Sequence, residues 1–439
     1  PPLPRLPTTA HLYTANPKTG RSRRFFTDKS ETWFDDRFNT TWLGDDDSEL
    51  LWLTDHDGWH RPLKVSRDGK TVTPLTTPPA DITAVLGHSD TDVYLATSPD
   101  NPTQRYLYAT TLDGTKLRRI TPPQFTGSNS YSISPDGTHA IHRHSTFDLP
   151  TTTTLIKLPS HERIRVIEDN TGLNEKLNAL ARPQTDFLRI PVNDDELDAY
   201  RLLPPDFDPT KKYPSIVHVY GEPAGQTVRD SWGGKTHLWH HYMAQQGYII
   251  YSIDNRGTNS PRGVQFRKSV YKQIGILAPQ DQAAAVKHLL ANNSYLDPDR
   301  VGVWGHSGGG SMTLNAMFRY PDLYSAGVAI AFIADQRLYD TIYQERYMGV
   351  PPDNEQNYID GSPITHAEHL KGDLLLIYGT GDDNCHYQNC ERLINKLVEH
   401  NKPFELLSYP NRTHSIKERK NTLLHRFNAT TNFFNRTLK

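Results

Sequence analysis

The stretch Val301-Gly302-Val303-Trp304-Gly305-His306-Ser307-Gly308-Gly309-Gly310 restricts the fold of this chain more than any other. A short β-branched run ends in Gly-x-Ser-x-Gly and passes at once into a helix-compatible segment, Ser311 to Arg319. Together they read as the strand, sharp turn and helix of a nucleophile elbow. The glycines have a steric reason: the turn holds its serine in a strained conformation, and side chains at Gly305 and Gly309 would strike the adjoining strand and helix. Ser307 is therefore a candidate nucleophile. The same pattern also arises by chance in Gly/Ser-rich loops, so the surrounding sequence has to supply the sheet that an elbow needs.

From about residue 185 onward it does. Tyr213 to Tyr220, Tyr248 to Ile253, Val301 to Trp304, Gly327 to Ile333, Leu374 to Tyr378 and Phe404 to Ser408 read as strands. Leu238 to Gln246, Pro279 to Ala291, Glu391 to Glu399 and Thr422 to Phe434 read as helices, the second opened by a proline at a first-turn position. Strand and helix in alternation imply a mostly parallel sheet covered on both faces, with ligands at the C-terminal strand edge. The expected span of this α/β-hydrolase domain is 186–439.

The preceding residues follow another grammar. Residues 1–25 are Pro- and Thr-rich and predict no long element, an extension or a partial blade. Residues 26–185 show short strands punctuated by Asp68-Gly69, Asp113-Gly114 and Asp136-Gly137. The segment from Arg61 through Asp68-Gly69 overlays the one from Arg105 through Asp113-Gly114 at a shift of about 45 residues, the period of β-propeller blades. That length accommodates about three blades, whereas propellers usually close with four to eight. Open edges invite aggregation. The expectation is a partial β-propeller completed by an N-terminal segment or another chain; a small β-sandwich with an accidental repeat is the alternative.

Composition bounds the rest. At 439 residues two or more domains are expected, and a net charge of -2 offers no basic surface for nucleic acid or anionic membrane. No run reaches the roughly 18 apolar residues of a membrane span. Pro1-Pro2-Leu3-Pro4 is no signal peptide, and the first residue is not Met, as expected of a processed chain or fragment. Sequons begin at Asn39, Asn292, Asn411, Asn428 and Asn435; a glycan at Asn411 would sit three residues from a candidate site histidine, so most are read as coincidence. Whether the protein is secreted, periplasmic or cytoplasmic stays open.

A serine hydroxyl needs a histidine base, itself oriented by a carboxylate. Downstream of Ser307 a strand runs into Gly379-Thr380-Gly381-Asp382-Asp383-Asn384, and a later strand and turn deliver His414. Acid then histidine is the chain order the fold requires. No cofactor or metal is implied. Cys385-His386 and Cys390 match no common zinc spacing, and His237, His240 and His241 have no acidic third ligand near them and read as a solvated helix face.

With these residues in view, the sequence from about Glu31 onward resembles the dipeptidyl peptidase IV branch of the prolyl oligopeptidase family of serine peptidases. The resemblance rests on Val219-Tyr220-Gly221-Glu222-Pro223, Asp254-Asn255-Arg256-Gly257, Trp304-Gly305-His306-Ser307-Gly308-Gly309, Tyr343-Gln344-Glu345-Arg346-Tyr347-Met348-Gly349, Gly379-Thr380-Gly381-Asp382-Asp383-Asn384 and His414. It implies Ser307, Asp382 and His414 as a triad, with Asp383 a structural neighbour. Tyr220 and the Gly308 amide become the oxyanion donors, and Asn384 contacts a substrate carbonyl. Tyr339, Tyr343, Ile333 and Cys385 line the pocket for the residue before the scissile bond. The implied activity is cleavage of short peptides after Pro, Ala or another small residue, by a homodimer.

Two departures stand out. Gly308 replaces the tyrosine that usually follows the nucleophile, and Gln336 replaces a pocket tryptophan, so a wider pocket is expected. The adjacent Glu-Glu that anchors a substrate ammonium group in the family occurs nowhere in the chain. An esterase or amidase of the same fold and an inactive binding protein are the competing readings.

Overall fold

The computed structural model describes residues 4–35, 40–44, 47–75 and 77–439; Pro1 to Leu3 of the Pro-rich start and the Asn39 sequon lie outside these. The chain divides into two units. One holds the residues up to Leu177 together with Arg229–Gly233 and Ser260–Lys268; the other holds Asn178–Val228, Gly234–Asn259 and Ser269–Lys439.

The first unit contains three four-stranded antiparallel sheets, over 41–74, 84–119 and 128–168, and a two-stranded sheet of Thr9–Ala15 with Ser22–Lys29. Each four-stranded sheet is ordered as its strands run in sequence, which is the meander of a blade. The two segments that overlay in sequence are the third and fourth strands of consecutive blades, Trp59–Ser66 with Val72–Pro74 and Tyr106–Thr111 with Leu117–Arg119. In both turns the glycine has positive φ, and the preceding aspartate accepts the backbone N–H two residues on at 3.0 Å, Lys70 for Asp68 and Thr115 for Asp113. Asp136-Gly137 makes the same local turn but joins the first two strands of the last blade, so it is not a third copy of that register. The apolar blade core includes Leu51, Val93, Leu95 and Leu107, all fully buried.

The Thr9–Lys29 hairpin corrects the expectation that residues 1–25 hold no long element. Its strands bury little beyond Ala10 and Leu12, leaving no apolar alternation to read.

The second unit is built on one eight-stranded sheet: β1 (Gln184–Val192), β2 (Asp195–Leu203), β3 (Tyr213–His218), β4 (Ile249–Ile253), β5 (Leu296–His306), β6 (Ala326–Ile330), β7 (Asp373–Gly379) and β8 (Glu405–Tyr409). Their order is β1-β2-β4-β3-β5-β6-β7-β8; β1 and β2 pair antiparallel and β3 to β8 run parallel. β4 and β6 are buried at every position, the pattern of strands covered on both faces. Helices α1 (Gly234–Gln245), α2 (Leu277–Asn292), α3 (Gly308–Arg319), α4 (Thr341–Met348), α5 (Gln388–Glu399) and α6 (Thr422–Thr437) accompany the sheet. This is the α/β-hydrolase architecture, preceded in the chain by part of a β-propeller.

Helix α1 overturns the solvated-face reading of its histidines. His240 is fully buried, 3.3 Å from the Tyr200 hydroxyl and packed against His218 and Trp304, and His241 is also buried. Burial and the neighbouring imidazoles hold His240 well below the ordinary histidine range. A neutral imidazole is largely apolar surface, so a histidine counted as polar in the sequence packs here as core.

Candidate active site

The parallel strands β3 to β8 all end at one edge of the sheet, and every candidate side chain follows one of those ends. Leaving β5, the chain turns at Ser307 with φ 62° and ψ -125° and enters α3 at Gly308. A non-glycine residue at positive φ carries strain of about 1–3 kcal/mol, held here by packing. The Ser307 N–H donates to the Ile330 carbonyl at 2.8 Å. A Cβ on Gly305 would lie 2.3 Å from the Gly309 carbonyl oxygen, and one on Gly309 would lie 2.2 Å from that of Val219. The glycine spacing is thus imposed by the close passage of α3 over β3 and β5.

His414, five residues past β8, brings Nε2 to 2.9 Å from Ser307 Oγ and Nδ1 to 2.9 Å from Asp382 Oδ2. A carboxylate can only accept, so Nδ1 carries the proton and the Nε2 lone pair faces the serine hydroxyl. Asp382 follows β7 and is buried; its other oxygen accepts the N–H groups of Asn384 and Cys385 at 3.0 and 2.9 Å, which fixes the carboxylate plane. His306, the residue before the serine, donates Nε2–H to the His414 carbonyl at 2.8 Å. Burial holds its pKa down at about 4, so the ring stays a neutral donor that ties the histidine loop to the elbow.

Tyr220 and Glu222 follow β3, and the end of β4 sets their loop. The side-chain amide of Asn255 donates to the Gly221 carbonyl at 3.1 Å, and Asp254 accepts from Thr227 and Val228. Tyr220, Glu222, Ser307, Gly308, Ile333, Gln336, Tyr339, Tyr343, Gln344 and Cys385 line one small cavity. The Gly308 N–H is the first of α3, where backbone donors lack intrahelical partners and the helix dipole favours negative charge. Burial and the nearby Glu222 push the Tyr220 hydroxyl well above the ordinary tyrosine range, which keeps it a donor. Asn384 stands outside this cavity, on an open depression with Leu338, Tyr339, Asp340, Asp383 and His386.

Three of these residues had no role in the sequence reading: His306, Glu222 and Gln344. Glu222 overturns the expectation of a wider pocket. A Cβ on Gly308 would lie 2.5 Å from the Glu222 carboxyl carbon, so the carboxyl fills the space beside the bare helix start. The Tyr343 hydroxyl donates to Glu222 Oε2 at 2.7 Å. Burial pushes the Glu222 carboxyl up to about 7.

In the blade unit Asp35, Asp55 and His60 bring ligand atoms within 4.8 Å of one another. Arg267 lies 3.1 Å from Asp35 and 2.8 Å from Asp55, and Lys268 lies 3.2 Å from Asp55. Two fixed cations already balance the carboxylates, which leaves this cluster an ion-pair network rather than a metal cage.

Fold and constellation together define a domain of the α/β-hydrolase class. The chain matches the model of the prolyl oligopeptidase family over residues 236–439 and that of the dipeptidyl peptidase IV N-terminal region over 3–151. It is 30% identical over 382 residues to a probable dipeptidyl peptidase 4 of Arthroderma benhamiae, covering 84% of this chain and 48% of that one. It is 31% identical over 414 residues to a probable dipeptidyl-aminopeptidase B of Coccidioides posadasii, covering 93% and 42%. The crystal structure of Porphyromonas gingivalis dipeptidyl peptidase 4 superimposes with a TM-score of 0.94 at 29% identity, over 99% of this chain and 61% of that one. The chain belongs to the dipeptidyl peptidase IV branch of the prolyl oligopeptidase family. It spans about half the length of the curated relatives it matches.

Proposed function

We propose that this protein is a serine peptidase that cleaves short peptides through an acyl-enzyme, as a dipeptidyl-peptidase-like exopeptidase. His414 takes the Ser307 proton as the oxygen attacks the scissile carbonyl; Asp382 holds the imidazole in the required tautomer and stabilises the imidazolium. The Tyr220 hydroxyl and Gly308 N–H receive the developing oxyanion at the helix start. His414 then protonates the leaving amine, and water repeats the sequence to release the acyl group. Asn384 is proposed to hold a substrate carbonyl at the open end of the site. The observation that carries this reading is the unbroken hydrogen-bond chain from Ser307 Oγ through His414 to Asp382 at the strand edge.

The family and the relatives' names support the peptide substrate. An anchor for a free substrate N-terminus is proposed to lie on chain beyond these residues, because no Glu-Glu pair occurs here and the relatives are about twice as long. On the same ground we propose the Thr9–Lys29 hairpin as a partial blade, the sheets from there to Leu177 as the C-terminal blades and the unit from Asn178 onward as the peptidase domain, with an N-terminal segment or chain completing the propeller. A homodimer is proposed through the last elements, where Val398, Leu406 and Leu424 are exposed. No helix among the described residues is long and apolar enough to cross a membrane. The test is labelling with a fluorophosphonate, followed by hydrolysis of paired peptide anilides with free and blocked N-termini. Labelling at Ser307 with cleavage only of free N-termini is expected; equal cleavage of blocked peptides refutes the exopeptidase reading.

A further inference from the structure

The cavity beside Ser307 is small and polar. It has about 10 Å³ of free room, enough for about one water molecule. Three of its walls carry hydrogen-bonding groups at buried positions: the Glu222 carboxyl, the Gln336 amide and the Gln344 amide. Gln336 is already engaged, its backbone N–H on Ser362 Oγ at 2.9 Å and its side-chain nitrogen on the Gly361 carbonyl at 3.3 Å. Gln344 is 3% exposed, and its Nε2 has no hydrogen-bond partner among the described residues. A buried amide donor without a partner costs about 1–3 kcal/mol, which an acceptor brought within its reach would recover. Glu222 offers the complementary acceptor; Tyr343 occupies one lone-pair direction on Oε2 and leaves carboxyl acceptor capacity over.

A partner for both groups must be compact, must donate to a carboxyl and must accept from an amide. A hydroxyl does all three with one oxygen. We propose that Glu222 is a specificity-determining residue that makes this pocket select serine or threonine before the scissile bond, with Gln344 donating to the same substrate hydroxyl. The inference rests on the peptidase reading above and adds the side-chain class to it. It also accounts for Gly308: any side chain there would displace the Glu222 carboxyl, so acceptor and bare glycine occur together. Proline and alanine would leave both the carboxyl and the amide unanswered, and a site built to bond a hydroxyl rejects analogues that lack it.

The experiment uses the whole protein and a set of peptides identical except for Ser, Thr, Ala or Pro before the scissile bond, with cleavage positions read by mass spectrometry. At pH 8, where Glu222 is ionised, serine and threonine are expected to exceed alanine and proline by about 10- to 100-fold in kcat/KM, the factor of one hydrogen bond to a charged group. Glu222→Met, close in volume and without acceptors, is expected to abolish that ratio. Gln344→Met is expected to lower it by roughly 5- to 10-fold, in line with one neutral hydrogen bond. Fluorophosphonate labelling of both variants at Ser307, at whatever rate, shows that fold and nucleophile persist. Equal or better cleavage after Pro or Ala by the wild type, with normal labelling, overturns the assignment and leaves the peptidase standing. An undiminished preference in Glu222→Met does the same. Absence of both labelling and cleavage in the wild type overturns the two together.

Discussion

The blade unit and the hydrolase unit place their acidic side chains in opposite environments. In the blades Asp68, Asp113 and Asp136 stand on exposed turns, each satisfied by N–H and hydroxyl groups within five residues of it. In the hydrolase unit Glu222, Asp254 and Asp382 are buried and met by partners from distant parts of the chain. Burial pushes Asp254 up to about 6 and Glu222 to about 7, whereas local hydrogen bonds hold Asp113 and Asp136 down at about 2. Carboxyls on turns shape the backbone; carboxyls in the interior are constrained by geometry that only the folded sheet edge creates.

Substitutions test this contrast from its strongest point to its weakest. Ser307→Ala is expected to abolish fluorophosphonate labelling and lower kcat by about 10⁴-fold or more, with the thermal midpoint preserved. Arg267→Ala probes the exception in the blade unit, a buried cation with ion pairs to Asp35, Asp55 and Asp81. Removing it leaves uncompensated carboxylates and is expected to cost about 3–5 kcal/mol in denaturant unfolding; a smaller loss would place the blades' stability in their apolar cores alone. Tyr220→Phe is expected to remove about 2.7–4 kcal/mol of transition-state stabilisation, read as a drop in kcat of a hundredfold or more. An unchanged kcat removes Tyr220 from the oxyanion site.

Glu222→Gln tests the interior carboxyls through pH. Below about pH 4.5 the group is protonated in both folded and unfolded chains and contributes no pH dependence. As pH rises toward 7 the unfolded chain loses the proton and the folded one keeps it, so wild-type stability falls by about 1.4 kcal/mol per pH unit. The stability of Glu222→Gln relative to wild type is therefore expected to rise by roughly 2–3 kcal/mol between about pH 5 and pH 8, measured by urea unfolding. Asp113→Asn, on an exposed blade turn, is expected to give the smallest effect, with no measurable shift of the urea midpoint.

What was legible in the sequence divides along the same line. The elbow could be read because its glycines stand at fixed offsets within two residues of Ser307, although part of what forbids side chains there is the distant Val219 carbonyl, and the blade repeat because each Asp-Gly turn closes on itself. Asp382 and His414 could be placed because strand ends and chain order deliver them. The Glu222 pocket could not. Its content depends on the missing side chain at Gly308, 86 positions away, and the same absence read in isolation suggests more room rather than an occupied site. The signal that could have found it is an acidic residue inside an otherwise apolar and glycine-rich strand end. His240 was misread for a related reason: nothing local distinguishes an imidazole on a wet helix face from one buried under Trp304.

Cys385 carries a consequence for handling. The residue lines the cavity with Ser307, yet it is 1% exposed, and burial together with Asp382 and Glu222 pushes the thiol well above its ordinary range. The reactive species toward alkylating agents and peroxide is the thiolate, which is scarcely populated in this setting. Iodoacetamide and air should leave activity intact while fluorophosphonates destroy it, so inhibitor profiles would report a serine enzyme, and purification would need no reductant.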